Sequence, residues 1–288
     1  MKLIGTGLIT DGQLGNRMFQ VMFCHELQKH CPGFFLHRVH LPEFDLVLKE
    51  RETRGKTLRV GGGFRHDFTY LSYLLNTGIY DNILIDTLCL RMEYYPNRYD
   101  YQTVFHSNAA PRYEYLDDQH LLIHIRAGDV LLGYNSDYGP VPVNFFAQII
   151  EETNLKPVFI GQLSNDFYSN AIRERFPQAI YLEGGSAIQD FQTIRSATNI
   201  VASVSTYAFL ASWLAYDAKN IFLPVKGLLN PRQLGEINLL PLNDSRYHFY
   251  KFDVEEWKAT DEQKHYIVAS AAKIDKYQRD ELLNLISY

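Results

Sequence analysis

The stretch Leu121-Leu-Ile-His-Ile-Arg-Ala-Gly-Asp129 is an apolar run that ends in basic and acidic side chains. Its composition predicts a buried strand with charge at its carboxyl end, where open α/β sheets bind their ligands. Because side chains alternate along a strand, His124 and Arg126 would lie on the same face of the sheet. A fixed arginine head suits a phosphate or a carboxylate, and a structural ion pair between Arg126 and Asp129 explains the same residues equally well.

Downstream of this stretch, apolar segments of strand type and helix type alternate with short connections. This order predicts a parallel sheet with helices on both faces, which is a Rossmann-like domain. No Gly-x-Gly-x-x-Gly motif follows the first strand, so a dinucleotide bound in the usual manner is disfavoured. The predicted strands are 121–126, 157–161, 179–182, 199–204 and 220–223, and the predicted helices are 143–152, 166–176, 187–196 and 206–216.

The amino-terminal part contains a glycine-bearing loop, Thr10-Asp-Gly-Gln-Leu-Gly-Asn-Arg17, followed by helical spacing of apolar residues over 18–29. Gly12 and Gly15 would let backbone amides approach a ligand at the amino terminus of that helix, where the partial positive charge favours anions. An ordinary turn before a helix explains the same pattern. We expect residues 31–70 to be irregular and a helix to extend from Asp261 to Ile286.

The composition limits the classes of protein to which this chain can belong. The 288 residues are 46% hydrophobic, which excludes a disordered chain and predicts two domains. A net charge of −5 argues against broad binding of nucleic acid or anionic membranes, since both need a basic field. The three cysteines form no Cys-x-x-Cys pair, and no apolar segment has the length of a signal sequence or a membrane span. These features predict a soluble protein of a reducing compartment.

Two further polar features fall where predicted strands end or predicted helices begin. In Ser203-Val-Ser-Thr-Tyr207, the hydroxyls of Ser205 and Thr206 and the unpaired helix amides would point towards the carboxyl edge of the sheet. Ser205 is equally well explained as a plain helix N-cap. Asp190, near the start of the preceding helix, either offsets the helix dipole or accepts two hydrogen bonds from a guanine edge.

Four segments together resemble the bacterial α-1,2-fucosyltransferases, which form glycosyltransferase family 11. The segment Gly12-Gln-Leu-Gly-Asn-Arg-Met-Phe-Gln20 is similar to the Gly-Gly-Leu-Gly-Asn-Gln-x-Phe-Gln opening of that family. The other three are His124-Ile-Arg-Ala-Gly-Asp129, Tyr138-Gly-Pro-Val-Pro-Val-Asn-Phe-Phe146 and Ser205-Thr-Tyr-Ala-Phe-Leu-Ala-Ser-Trp213. Their order and spacing agree with the family from near residue 5 to near residue 225. The wider group, including core α-1,6- and protein O-fucosyltransferases, shares the histidine–arginine block.

The resemblance implies an α/β protein of the GT-B type, in which two Rossmann-like domains face each other across a cleft. It implies an acceptor-side domain at 1–115, a GDP-fucose-binding domain at 116–250 and a helical segment at 251–288 that braces the first domain. Gly12, Gly15 and Asn16 would line the cleft from the acceptor side.

The resemblance also implies roles for residues of the second domain. Arg126 would clamp the pyrophosphate of GDP-fucose, and His124 would contact the nucleotide. Asp190 would read the guanine, and Ser205 and Thr206 would bind the β-phosphate. Tyr207, which follows Thr206 in the chain, is also among the residues expected to bind GDP-fucose.

Two positions depart from the pattern of the family. Many members carry a second arginine where this chain has Ala127, so part of the positive field around the leaving group would have to come from elsewhere. Arg17 stands where glutamine is usual and is one candidate to supply that field.

The predicted reaction is metal-independent, inverting transfer of L-fucose from GDP-fucose to O2 of a terminal β-galactoside, in an acceptor such as lactose or a glycan chain. No cofactor is expected, because the chain lacks the Asp-x-Asp triplet with which metal-dependent GT-A transferases hold Mn²⁺ or Mg²⁺. The base that removes the acceptor proton is sought among Asp129, Asp137 and Glu93, which we leave unranked. Asp129 serves equally well to hold Arg126 or its turn.

Two other interpretations remain open at this point. One is a fucosyltransferase of different linkage or acceptor. The other is a carbohydrate- or nucleotide-binding protein that kept the cleft without turnover, for which Ala127 is the main hint. The family and the missing signal sequence imply a cytoplasmic location, with peripheral association at the inner membrane face where surface glycans are assembled. Nucleic acid is not expected among the partners.

Overall fold

Two parallel β-sheets, each flanked by helices, organise the chain. In the computed structural model, which describes residues 1–7, 13–113 and 116–286, the chain divides into two units. The first unit contains residues 1–107 and 236–239, and the second contains residues 108–235 and the chain from Leu240 onward. The return of 236–239 to the first unit was not predicted. It depends on backbone hydrogen bonds, among them Met92 N to Asn238 O at 2.7 Å.

The first unit has a four-stranded sheet. Its elements are β1 (Lys2–Thr6), α1 (Leu14–His30), β2 (Phe34–His37), β3 (Val39–Leu41), β4 (Leu46–Leu48), β5 (Thr57–Gly61), α2 (Phe68–Asn76), β6 (Asn82–Asp86) and α3 (Arg98–Val104). The strand order is β2-β1-β6-β5 and all pairings are parallel, while β3 and β4 form a separate antiparallel pair. The predicted helix over 18–29 is confirmed as α1, whose buried residues Met18, Phe19 and Met22 contribute to the core.

The expectation of an irregular segment over 31–70 is wrong, because four strands and the start of α2 lie in it. These strands have between three and five residues, as in Val39–Leu41 and Thr57–Gly61. Segments this short contain too few residues to show a repeating pattern of apolar side chains.

The second unit has a six-stranded parallel sheet. Its elements are β7 (His120–Ile125), α4 (Val143–Thr153), β8 (Lys156–Gly161), α5 (Phe167–Arg175), β9 (Ile180–Leu182), α6 (Ala187–Ser196), β10 (Asn199–Val201), α7 (Thr206–Trp213), β11 (Asn220–Val225), β12 (Tyr247–Lys251), α8 (Asp261–Ala269) and α9 (Arg279–Ile286). The strand order is β12-β11-β10-β7-β8-β9. The alternation predicted from the sequence is confirmed, with β10 ending at Val201 and α7 at Trp213, earlier than expected.

The order of strands in the second sheet changes direction beside β7. From β7 the chain proceeds outwards through β8 and β9, then crosses to β10 on the opposite flank of β7 and continues outwards to β11 and β12. The carboxyl ends of β7 and β10 therefore form a topological switch point, where the connections leave in opposite directions and open a crevice.

The carboxyl-terminal segment differs from its predicted secondary structure. The expected helix from Asp261 to Ile286 is interrupted by residues 270–278, which we call the strap. Within the strap, Lys276 forms an antiparallel bridge with Tyr250 of β12, and Asp275 O accepts a hydrogen bond from Lys251 N at 2.8 Å. This backbone pairing takes the place of helical hydrogen bonds. The segment belongs to the second unit, where α8 packs against α4 and α5, and its bracing of the first domain stays a prediction.

None of the helices in the described ranges combines the length and the apolar character that a membrane crossing requires. The three cysteines, Cys24, Cys31 and Cys89, are buried free thiols of the first unit. Burial raises the pKa of all three thiols, which keeps them protonated and poorly reactive.

Candidate functional site

Polar side chains gather at the switch point of the second sheet. His124, Arg126 and Ser203 line one crevice there, so His124 and Arg126 share a face as the alternation predicted. Gly139–Val141 and Val204 supply part of the remaining wall. The crevice encloses about 180 Å³ and is too narrow to admit a water molecule. A ligand at this edge would therefore lie over the crevice, against the groups that face outwards.

His124 joins the two strands that flank the switch point. It is buried at the end of β7, and its Nδ1 lies 2.7 Å from Oγ of Ser203, which follows β10. Burial, with the positive charge of Arg126 as a smaller cause, lowers the pKa of His124 to about 3. The ring is thus neutral near pH 7, so it can orient a ligand by hydrogen bonding but adds no positive charge.

Arg126 is held from two sides at the end of β7. Its Nη1 donates to Oε1 of Gln162 at 2.6 Å, and its Nη2 lies 2.8 Å from Oδ1 of Asp129. The ion pair that the sequence suggested is therefore present, but the Asp129 side chain is 57% exposed, so solvent weakens the pair. A guanidinium has five N–H donors, and these two contacts leave others for an anion.

Ala127 is fully buried. Its backbone N donates to the same Oε1 of Gln162 at 3.0 Å, which fixes the chain immediately after Arg126. The small side chain thus occupies a position that is closed to solvent.

The turn after β10 leads into α7 through two buried hydroxyl residues, Ser205 and Thr206. Ser205 occupies the N-cap position, but its side chain makes no capping hydrogen bond, which differs from the plain N-cap that the sequence also allowed. The first amides of α7 therefore remain without a side-chain cap from Ser205. A helix terminus of this kind attracts an anion.

Tyr207 connects the start of α7 with α6. Its hydroxyl donates to the carbonyl of Ala187 at 2.6 Å, and its ring centre lies 5.7 Å from that of His124. Burial, followed by the charge of Asp190, raises the pKa of Tyr207. The tyrosine therefore acts as a neutral hydrogen-bonding and packing group that lies against His124 and within the electrostatic influence of Asp190.

Asp190 lies in the first turn of α6 and forms an ion pair with Arg112, Nη1 to Oδ1, at 2.7 Å. Burial raises the pKa of Asp190, and Arg112 partly offsets this effect. Arg112 also donates to the carbonyls of Leu182 and Glu183. A Cβ at Gly185 would lie 2.5 Å from both partners, so the pair needs glycine there. The sequence analysis did not identify Arg112.

The residues assigned to the acceptor side belong to the first unit. Gly12 lies outside the described residues. Gly15 is buried in the first turn of α1, and Asn16 N donates to Gln13 O at 3.0 Å in the same turn. Gly15 and Asn16 thus lie in the first turn of α1, and their place in the cleft stays a prediction.

Two cationic side chains, Arg17 and Lys226, are relevant to the second arginine that the fucosyltransferase pattern contains and this chain lacks. Arg17, proposed as its replacement, forms an ion pair with Glu43 at 2.6 Å and donates to the carbonyl of His40 at 2.9 Å. Its charge is therefore already engaged with a carboxylate. Lys226, which the sequence analysis did not identify, is buried directly after β11, with Nζ 3.2 Å from Glu255.

The three carboxylates considered as bases lie in different surroundings. Glu93 is ion-paired with Arg91 in the first unit, and Asp137 Oδ1 accepts a hydrogen bond from Gln233 Nε2 at 2.9 Å in the second. Of the three, Asp129 is the one paired with the candidate anion-binding arginine. Within residues 1–7, 13–113 and 116–286, no three His, Cys, Asp or Glu side chains are grouped so that they could hold a metal ion.

Comparison of the chain with models of known protein families gave no match, and a search of characterised proteins gave none either. A functional assignment therefore depends on the geometry of the switch point and on the motifs of the sequence. That geometry combines a held arginine, a neutral histidine, the amino terminus of a helix and a half-buried carboxylate. Such a set can bind an anionic group together with a hydrogen-bonding ring.

Proposed function

We propose that this chain is an inverting glycosyltransferase that moves L-fucose from GDP-fucose to O2 of a terminal β-galactoside. One observation carries the proposal: Arg126 and the amino terminus of α7, where Ser205 makes no side-chain capping hydrogen bond, lie at the carboxyl ends of β7 and β10, on the two sides of the switch point. A forked cation and a helix amino terminus are both phosphate-binding groups, so together they suit a pyrophosphate. The motif resemblance supplies the identity of the donor.

In this proposal the diphosphate lies along the carboxyl edge of the second sheet. Arg126 binds the pyrophosphate, while Ser205, Thr206 and the first amides of α7 bind the β-phosphate. The neutral ring of His124 contacts the nucleotide through a hydrogen bond. The Arg126 charge and the helix amides carry the electrostatic recognition, since His124 is uncharged.

The nucleobase is read by Asp190 in this proposal. Arg112 contacts Oδ1 of that carboxylate, and Tyr207 packs nearby. A carboxylate can accept hydrogen bonds from two N–H groups on one edge of guanine. Arg112 fixes the position of Asp190, so the carboxylate needs little rearrangement when the base arrives.

The chemical step is a single displacement at the anomeric carbon of fucose. O2 of the galactoside attacks C1, the bond from C1 to the β-phosphate oxygen breaks, and configuration at C1 inverts. Negative charge develops on the departing GDP, where Arg126 and the α7 amides can stabilise it. The proton of the acceptor hydroxyl leaves to a carboxylate, for which Asp129, Asp137 and Glu93 remain the candidates, or to solvent.

The proposal includes the GT-B arrangement and an acceptor site in the first unit, both of which the family resemblance implies. The donor part of the proposal does not depend on that arrangement, because Arg126, His124, Asp190 and the start of α7 all belong to the second unit.

A nucleotide-binding protein without turnover is the second candidate, and the alanine at position 127 favours it. Alanine at this position leaves the leaving group with one arginine fewer than the family pattern provides. In that case the chain would bind GDP-fucose and release GDP no faster than the uncatalysed rate. A fucosyltransferase acting on another acceptor would release GDP, but not with galactosides.

Release of GDP from GDP-fucose, measured with lactose and with or without EDTA, tests the proposal. We expect lactose-dependent release that EDTA does not reduce, with maltose, which lacks galactose, as the matched control acceptor. Equal release with both sugars would contradict the galactoside assignment. Binding of GDP-fucose without release would favour the second candidate, and inhibition by EDTA would contradict the metal-free mechanism.

A further inference from the structure

Gln162 stands at the carboxyl end of β8, beside the strand that carries Arg126. Its backbone N donates to the carbonyl of Ile125 at 3.0 Å, which continues the pairing of β8 with β7 by one residue and keeps Gln162 beside the end of β7. The preceding Gly161 has a φ of +109°, and a Cβ there would collide with that carbonyl oxygen. A glycine is therefore required for Gln162 to reach this position.

The side-chain oxygen of Gln162 accepts two hydrogen bonds. One comes from Nη1 of Arg126 at 2.6 Å and the other from the backbone N of Ala127 at 3.0 Å. Two donors converge on this atom, so it is the amide oxygen and not the nitrogen, and both of its lone pairs are used. The rest of the amide lies against Gly128, where an added Cβ would be 3.2 Å from Nε2.

The two partners of Arg126 act on its charge in opposite ways. Asp129 is an anion and partly neutralises the guanidinium, whereas Gln162 holds the same guanidinium and leaves its positive charge intact. A cation that is held but not neutralised binds a phosphate better, because it loses less freedom on binding and keeps its full attraction.

We infer that Gln162 is a positioning residue that presents Arg126 to the phosphate groups of the ligand. This inference rests on the anion-binding part of the proposed function. Gln162 acts through Arg126, so its contribution should vanish when Arg126 is removed.

The test uses the full chain and measures the binding of GDP and of inorganic pyrophosphate by calorimetry. Gln162→Met removes the acceptor oxygen, and we expect at least about fivefold weaker binding of both probes. Gln162→Glu preserves size and the contact but adds a negative charge beside Arg126, and we expect about tenfold weaker binding or more. Gln119→Glu makes the same change of charge on an exposed residue at the opposite end of β7, and less than a twofold change is expected.

A double-mutant cycle separates positioning from a general structural role. In an Arg126→Met background, Gln162→Met should change GDP affinity by less than twofold, because the group through which it acts is gone. An undiminished loss in that background, or wild-type affinity in both Gln162 variants, would overturn the inference. Circular dichroism establishes that the variants fold. If Gln162→Met does not fold, the test proceeds with Gln162→Glu.

The binding assay also separates this inference from the proposed function. A wild-type chain that binds GDP and pyrophosphate but transfers no fucose would contradict the transferase, while a Gln162 effect that depends on Arg126 would still support the inference. A wild-type chain that binds neither probe would overturn both.

Discussion

The two sheets are both parallel, but the polar side chains at their carboxyl edges are used differently. In the first sheet, the side chains near the edge are engaged within the unit: Thr6 donates to the carbonyl of Arg38, and Asp86 is ion-paired with Arg59. In the second sheet, an arginine, a neutral histidine and the amino terminus of α7 gather at the switch point. The strand orders also differ, because the chain of the first sheet passes from β1 to β2 and later from the outer strand β5 inwards to β6, whereas the chain of the second sheet proceeds outwards from β7 and again from β10.

The space over the two edges explains part of the difference. Gly7, directly after β1, lies so close to Asp86 that an added Cβ would be 2.8 Å from the Asp86 Cβ. Gly7 and Asp86 are therefore in close contact at this point of the first edge. At the second edge, Arg126 is held by Gln162 and Asp129, yet it retains donors for a ligand. The comparison teaches that polar residues at strand ends are not equivalent: the ion pair of Asp86 lies within its own unit, while Arg126 keeps N–H donors beyond its two partners.

The largest expected effect is that of Arg126→Ala on transfer from GDP-fucose. Removing the cation that faces the developing charge should lower kcat/KM at least about 100-fold. Steady-state kinetics with lactose provide the measurement, and Arg175→Ala, an exposed arginine in the last turn of α5, is the control with the same change of charge. A folded Arg126→Ala protein with near wild-type kcat/KM would show that the carboxyl edge of the second sheet takes no part in the reaction.

The second effect is a pH-dependent change in the free energy of unfolding, which is caused by protonation of His124. Its pKa in the folded chain, about 3, lies below the ordinary value of 6.5, so the unfolded chain binds the proton first as the pH falls. The His124 contribution is therefore complete above about pH 6.5 and is lost as the pH falls towards 3. Between pH 7 and pH 5 the wild type should lose about 2 kcal/mol more unfolding free energy than His124→Asn, in which residue 124 does not titrate.

Urea unfolding of the wild type and His124→Asn at both pH values measures this difference. The other histidines with lowered pKa values, among them His37 and His66, are present in both proteins and cancel. Parallel pH dependence in the two proteins would mean that the pKa of His124 is the same in the folded and the unfolded chain. The conclusion that the buried ring stays neutral below pH 6.5 would then be wrong.

A smaller effect is expected from Asp190→Asn. It should lower the affinity for GDP and leave the affinity for inorganic pyrophosphate nearly unchanged. Losing a charged acceptor should weaken GDP binding about tenfold, since a hydrogen bond to a charged group contributes about 1.5–3 kcal/mol and the amide keeps one acceptor. Pyrophosphate affinity should stay within twofold. Glu183→Gln, which alters a neighbouring carboxylate paired with Arg173, is the control. Equal loss for both probes would place Asp190 at the phosphates and not at the base.

The smallest effect is expected at the edge of the first sheet. Asp86→Asn weakens an ion pair whose arginine side chain is 67% exposed, so the free energy of unfolding should fall by no more than about 1 kcal/mol. GDP affinity should not change. A tenfold loss of GDP affinity in this variant would contradict the contrast between the two edges and assign ligand binding to the first sheet as well.

The second sheet could be predicted from the sequence because strands buried on both faces appear as short apolar runs between helical segments. His124 and Arg126 were identified for the same reason, since they end the first of these runs. Gln162 and Arg112 were not identified. They are separated in sequence from Arg126 and Asp190 by 36 and 78 residues, and no local pattern marks the hydrogen bonds that join them.

The first unit was predicted less well for a related reason. Its strands β3 and β4 have three residues each, so pairing partners and not periodicity define them. The strap was missed because its residues continue a charged segment between two true helices. Its structure depends on the backbone of β12, which precedes it by about twenty residues.

The strap has a consequence for how the protein behaves in a crowded solution. An outermost strand normally presents a row of free amides and carbonyls that can recruit a strand from another molecule. In this chain residues 275–277 already bond to Phe249 and Lys251 of β12, and the Lys276 ammonium lies over the Tyr250 ring. The chain thus covers part of this outer edge with its own backbone and adds a charge there, which are two of the devices by which β-sheet proteins resist aggregation.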